Sequence, residues 1–299
     1  MRATASFAAL AVLAACPADD TTATPDGGMT SSDGGMTSGD GSTCSRPALD
    51  QSWLRTLLSG AVTSLAAAPR ATNTQRQAAR TYLQNQLTQI GWTPMLHSYA
   101  SGANVYATIP ATTSTTKRII VGAHFDTASN SPGANDNATG TAAVLAVARY
   151  LKDMPCRDAN VTVVLFDEEE LGLFGARAYS ATLPANDVLA VHTVDQIGWD
   201  NDNDKRFELE LPTTALENQY RAAAQIVGVP VATTSTQGTD HQAFRDDGFP
   251  AIGLTEEYVG NDTSPYRHTA QDTASTVDLD YLVLGTKLVA QVVMTELAP

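Results

Sequence analysis

From about residue 44 onward, apolar positions recur with two alternating periods. SWLRTLLSGAVTSLA and TQRQAARTYLQNQLTQIG carry the spacing of helices with one buried stripe. RIIVGA is a short unbroken apolar run, as expected of a strand covered on both faces. TGTAAVLAVARYLKDM returns to a helical pattern, and NVTVVLF is a second buried strand. VLAVHTVDQIG and RFELELP follow, then a helix over ALENQYRAAAQIVG, a strand at PAIGLT and a closing helix over DLDYLVLGTKLVAQVVMTEL. Strands alternating with helices predict an α/β fold, a three-layer αβα sandwich on a mostly parallel, mixed central sheet. No linker-like stretch breaks this pattern, so residues 44–299 are expected to form one domain.

The first 43 residues follow neither period. MRATASFAALAVLAAC holds one arginine, then a short apolar run. The run is too short to span a bilayer and fits a signal peptide over residues 1–15. Leu13-Ala14-Ala15-Cys16 resembles the lipobox of bacterial lipoproteins, which implies cleavage before Cys16 and lipidation of its thiol. The expected location is therefore the cell envelope of a bacterium, with membrane contact only through a lipid at Cys16. Ordinary signal cleavage and a secreted product is the alternative. Residues 16–43 are rich in Thr, Ser, Asp and Gly and repeat DGGMTS from Asp26 and from Asp33. So little apolar surface predicts a disordered tether, with a reach of roughly 30 Å as a flexible coil.

Composition narrows the partners. At 43% hydrophobic and 17% charged residues the chain is globular in character. A formal net charge of −14 repels phosphate backbones, so nucleic acid is not an expected partner. Of the three cysteines, Cys44 and Cys156 remain if Cys16 carries lipid. An oxidising compartment would let those two form a disulfide; the alternative is two unrelated thiols.

The chemistry concentrates at strand ends. LFDEEELGLFGA sets Asp167, Glu168, Glu169 and Glu170 in a row behind an apolar run. Adjacent carboxylates repel unless they are solvated or face a cation. His124 and Asp126 follow RIIVGA, and Asp195 sits near the end of VLAVHTV. In open α/β sheets, the crevice beyond the carboxyl ends of the strands is the usual ligand site. SPGANDNATG places Asp136 at the mouth of a helix, and SPYRHTAQDT presents His268 on a polar loop. Two imidazoles and three carboxylates suit zinc and can hold two ions about 3.5–4 Å apart. Singly, each residue has a plainer reading: a solvated acidic loop, a structural His-x-Asp, turn chemistry at Asp136, a surface imidazole at His268. Their placement at successive strand ends favours the metal.

The ordered set AHFD, PGANDNATG, EEELGLFGA, VDQIG and NDTSPYRHTAQDT resembles the zinc aminopeptidases of peptidase family M28, of the small secreted bacterial type. The likeness spans roughly residues 119–273. It implies a zinc-exopeptidase fold, two Zn²⁺ per chain, and peptide substrates with a free N-terminus. His124, Asp136, Glu170, Asp195 and His268 would be the metal ligands, with Asp136 bridging. Glu169 would be the general base acting on a metal-bridged hydroxide. Asp126 would fix the tautomer of His124. A cis peptide at Asp136–Asn137 is also implied; the sequence leaves the oligomeric state open, with a monomer favoured. Three consecutive glutamates allow a shifted register with Glu168 and Glu169 as the functional pair. Gly172-Leu173 and Phe174-Gly175-Ala176 anchor the register chosen. Single-zinc glutaminyl cyclases share the fold, and a binding module that has lost its metals would too, but no ligand is replaced here. The M20 peptidases place a lid domain between ligands, and Glu170 and Asp195 are only 25 positions apart. Carboxypeptidase or dipeptidase action stays open.

The remaining candidates are weaker. His97 is expected to be an exposed strand residue. His192, three before Asp195, points to the opposite face of its strand and is structural. Asp240-His241 could stand behind the ligands or in the substrate wall, or could cap a helix. Asn261 begins a glycosylation sequon that has no use in a bacterial exporter. Tyr258 and Tyr266 could line the cleft.

Overall fold

The structure is a computed structural model that describes residues 45–298. The expected signal peptide, lipobox and tether lie outside the described residues. Within them the strands are β1 (Met95–Ser98), β2 (Ala103–Ile109), β3 (Arg118–His124), β4 (Asn160–Phe166), β5 (Val188–Val194), β6 (Phe207–Glu210), β7 (Val231–Thr234) and β8 (Ala251–Thr255). They form one mixed sheet in the order β1-β2-β4-β3-β5-β8-β6-β7. Helices are α1 (Leu54–Leu65), α2 (Asn73–Ile90), α3 (Gly140–Lys152), α4 (Phe174–Ser180), α5 (Thr214–Val227), α6 (Asp240–Asp246) and α7 (Leu279–Glu296).

The unbroken apolar runs became the sheet's centre. β3 pairs in parallel with β4 and β5, and β5 in parallel with β8. Alternate residues feed two cores. Ile119, Val121, Ala123, Val161, Val163 and Leu165 pack towards α1, α2, α3, α5 and α7. Ile120, Val164, Phe166 and Val191 pack with Ala176 and Tyr179 of α4 and Ala243 and Phe244 of α6. This is the three-layer arrangement expected. Four elements went unread in the pattern: β2, β7, α4 and α6. The last two are seven residues each, too short to display a helical repeat. Through β2 the sheet gains an antiparallel edge on β4.

Helix α2 matters beyond packing. Thr72 and Gln75 cap it reciprocally, and Gly91 ends it at φ 98°. Its Arg76 and Arg80 cross to the acidic run. Arg76 Nε meets Asp167 Oδ1 at 2.8 Å, Arg76 Nη2 meets Glu168 Oε1 at 2.8 Å, and Arg80 Nη1 meets Asp167 Oδ2 at 2.5 Å. Half of the acidic run is thus neutralised by arginines rather than by any metal. Cys156 is disulfide-bonded; Cys16 and Cys44 both lie outside the described residues. No described helix is long and apolar enough to cross a membrane.

Arg76, Asp167 and Glu168 are all buried, so removing the shared cation strands Glu168 and leaves Asp167 with Arg80 alone. Arg76→Met is expected to destabilise the fold by about 3–5 kcal/mol. This would be read as a lower denaturant midpoint at unchanged slope. An unmoved midpoint would contradict the role given to this arginine.

Candidate metal centre

Parallel pairing brings the carboxyl ends of β3, β4, β5 and β8 to one edge. His124 is the last residue of β3 and lies opposite Phe166, the last of β4. The Asp195 N–H donates to Leu254 O of β8 at 2.9 Å, which fixes Asp195 just beyond β5. Asp136 arrives on a wide helical turn, Ala134–Thr139, that leads into α3. Gly133 enters that turn at φ 62°, where a Cβ would fall 2.4 Å from Asp136 O and 2.3 Å from Thr127 Cγ2. Asp272 then clamps the turn: its carboxylate accepts the backbone N–H of Asn135 at 2.8 Å and of Asp136 at 3.1 Å. The Asp136–Asn137 peptide is cis, as expected.

The same edge divides the acidic run. Asp126 accepts the backbone N–H of Glu169 at 3.0 Å and of Glu170 at 3.2 Å. Glu168 turns the chain at φ 62°. Asp167 and Glu168 then face the arginines of α2, while Glu169 and Glu170 face the crevice. The register with Glu169 and Glu170 as the inward pair is the one the fold adopts.

The inward side chains converge. His124 Nε2 is 3.4 Å from both Asp136 Oδ1 and Asp195 Oδ1, and 3.9 Å from Glu169 Oε2. His268 Nε2 is 3.1 Å from Asp136 Oδ2 and 3.0 Å from Glu170 Oε2. Two trios result, His124–Asp136–Asp195 and Asp136–Glu170–His268, with ligand atoms within 4.8 Å of one another in each. Asp136 belongs to both. His124 Nε2, Asp136 Oδ2 and Asp195 Oδ1 are buried without a hydrogen-bond partner. Buried polar atoms are almost always satisfied, so the orphans His124 Nε2 and Asp195 Oδ1 in the first trio and Asp136 Oδ2 towards the second fit cations there. The donor set of imidazole and carboxylate fits zinc.

Electrostatics agree. Burial raises Glu169 well above 4.5, with Asp195 and Asp240 adding to it and His124 opposing. Burial, then Asp136, pushes Glu170 up to about 7. Burial disfavours charge on His124, but Glu169 and Asp195 outweigh it and drive its pKa well above 6.5. Without metal, then, the cluster holds its negative charge together by retaining protons. A divalent cation would displace them.

Other expectations resolve case by case. His192 is away from the cluster, 3.2 Å from Tyr220 Oη and 2.9 Å from Glu296 Oε2. His97 lies on β1 as expected but is half-buried, edge-on to Tyr179 with ring centroids 5.2 Å apart; the exposure expected of it was wrong. Tyr266 packs on Trp199 instead of standing free. Asp240 opens α6 yet makes no cap; Thr239 holds the cap position, and the buried Asp240 Oδ1 has no partner. Asp272, Arg76 and Glu210 belong to the neighbourhood and were missed. Each is an isolated polar residue whose partner lies far away in the chain. Two further acidic trios share the exposed Asp202 and are tied to Lys205 and Arg206.

Peptidase family M28 matches residues 104–293. Aminopeptidase YwaD of Bacillus subtilis is 30% identical over 188 residues, 58% of this chain and 40% of its own length. The chain spans about half the length of the curated relatives it matches. The LapA aminopeptidase of Legionella pneumophila superposes with a TM-score of 0.73 at 20% identity, covering 82% of this chain and 72% of that one. The glutaminyl cyclase of Porphyromonas gingivalis gives 0.71 at 17% identity, covering 81% and 98%. At these identities the two structures share the fold alone.

Division of the acidic run has a direct test. Glu170→Gln is expected to weaken retention of a divalent cation at least about tenfold, and Glu168→Gln to leave it unchanged while lowering stability. Zinc titration and melting curves of the two variants check this. Equal loss of metal from both would contradict the division.

Proposed function

The chain belongs to peptidase family M28, and on that premise we propose that it is a metal-dependent aminopeptidase that hydrolyses the N-terminal peptide bond of peptides with two zinc ions. The observation that carries the reading is the shared carboxylate, Asp136, common to both trios. His124, Asp136 and Asp195 would hold one ion; Asp136, Glu170 and His268 the other. When bound, the ions would acidify a water and polarise the scissile carbonyl.

The remaining work falls to the chain. Asp126 faces His124 Nδ1 with its carbonyl at 3.3 Å and its carboxylate at 3.5 Å. That arrangement favours a proton on Nδ1 and leaves Nε2 bare towards Asp136 and Asp195. Glu169 stands at the crevice, outside both trios and almost buried. Its raised pKa suits a group that must take a proton from water and return it to the leaving amine nitrogen. The proton taken is the proton delivered, so Glu169 ends as it began. A cationic α-amine is favoured among so many carboxylates, which restricts cleavage to the free N-terminus. Two complete trios support hydrolysis over the single-ion cyclase chemistry found on this fold. Export, with a lipid on Cys16, remains part of the proposal on the strength of the Leu13–Cys16 sequence.

Glu169→Gln is expected to keep its zinc while kcat falls by roughly 10²–10⁴-fold. Near-normal turnover would remove Glu169 as the base. Acetylating the N-terminus of a peptide substrate is expected to abolish cleavage, as is a zinc chelator. Continued release of the C-terminal residue from acetylated peptides would reassign the enzyme as a carboxypeptidase.

A further inference from the structure

A small pocket opens beside Asp195, on the crevice side of β5, β6 and β8. Gln196, Glu210, Thr239, Thr255, Tyr258 and Arg267 line it beside Asp195. Among the described residues no aliphatic side chain lines this pocket. An apolar side chain seated here would meet only the Tyr258 ring and would strip water from hydroxyls, a carboxamide and a carboxylate.

The polar groups are unevenly matched. Glu210 sits on β6 and is 2% exposed. Thr239 donates its hydroxyl to Glu210 Oε2 at 3.0 Å, and His241 Nδ1 lies 3.4 Å from the same oxygen. No described residue donates to Oε1. Gln196 Oε1 is buried and likewise without a partner. Gln196 Oε1 asks for a donor, and Glu210, whose pKa burial raises to about 8, would be held charged by a cation beside it. Arg267, the cation nearest the pocket, is turned the other way: its Nε lies 3.3 Å from Asp136 Oδ2. It does not serve as Glu210's partner.

We propose that this pocket seats the N-terminal side chain of the substrate and selects a cationic one, lysine or arginine, with Glu210 as the counter-charge. The proposal rests on the aminopeptidase reading above and adds its substrate class. Glu210 touches neither trio, so its part is to choose the substrate and not to perform the chemistry. The same donor-hungry lining gives glutamine second place and disfavours leucine and glutamate.

The test uses the zinc-loaded full chain in two arms. The first compares kcat/KM for lysyl, arginyl, leucyl and glutamyl anilides in the wild type and in Glu210→Gln. Lysyl and arginyl substrates are expected to lead leucyl by at least about tenfold, through KM, and Glu210→Gln to erase most of that lead. The second arm measures binding of free L-lysine and of L-norleucine, which lacks only the ammonium, to the wild type. It needs neither turnover nor a folded variant. Tighter binding of lysine is expected. A leucyl or glutamyl preference, or equal binding of lysine and norleucine, overturns the pocket assignment, while hydrolysis itself would leave the aminopeptidase reading intact. Preferential lysine binding with no hydrolysis of any anilide would do the reverse, sustaining the pocket and sinking the peptidase.

Discussion

The Asp136 carboxylate lies between two imidazoles, with His124 Nε2 3.4 Å from one oxygen and His268 Nε2 3.1 Å from the other. Holding it there takes a large part of the fold. Asp272 fixes the backbone before it, Gly133 lets that backbone turn, and Asn137 ties the next residue to β5 through Val194 O at 2.8 Å. Arg70, itself buried, donates to the carbonyls of Phe125, Pro132 and Gly133 and so joins the end of β3 to the same turn. A carboxylate so placed is costly to bury alone; His124, His268 and Arg267 face it here, and the two ions proposed would do so when bound.

The acidic run shows how like charges are accommodated at close quarters. Asp126 gathers the N–H groups of Glu169 and Glu170 and turns those side chains into the crevice. Arg76 and Arg80 take the other two. Neighbours in sequence therefore do opposite work, two stabilising the fold and two serving the centre. The energetic distinction matters: arginine pairs satisfy Asp167 and Glu168, whereas Glu169 has no arginine partner and, as the proposed base, would have to change its protonation state.

Much of this was legible in the sequence because the signals were local. RIIVGA and NVTVVLF read as buried strands since both faces of β3 and β4 are covered. His124, Asp126, Glu169, Glu170 and Asp195 stood out because strand ends are recognisable; Asp136 and His268, on a turn and a loop, joined them with assigned roles through the resemblance to family M28. What escaped was long-range. Arg76 finds Glu168 across 92 positions and Asp272 finds Asn135 across 137, and no periodicity announces such pairs. Glu210 sat unread within RFELELP, where no local signal distinguishes a buried carboxylate from a solvated one. His97 was expected outside, but Tyr179 from α4, a helix too short to foresee, packs against it.

The proposed metal centre and the pocket beside it share Asp195 as their boundary. The most direct examination of the whole account is anomalous diffraction at the zinc edge from crystals of the chain grown with zinc. Two peaks are predicted, one enclosed by His124, Asp136 and Asp195 and the other by Asp136, Glu170 and His268. A single peak, or density only on the carboxylates around Asp202, would contradict the central claim that Asp136 is shared by two cations.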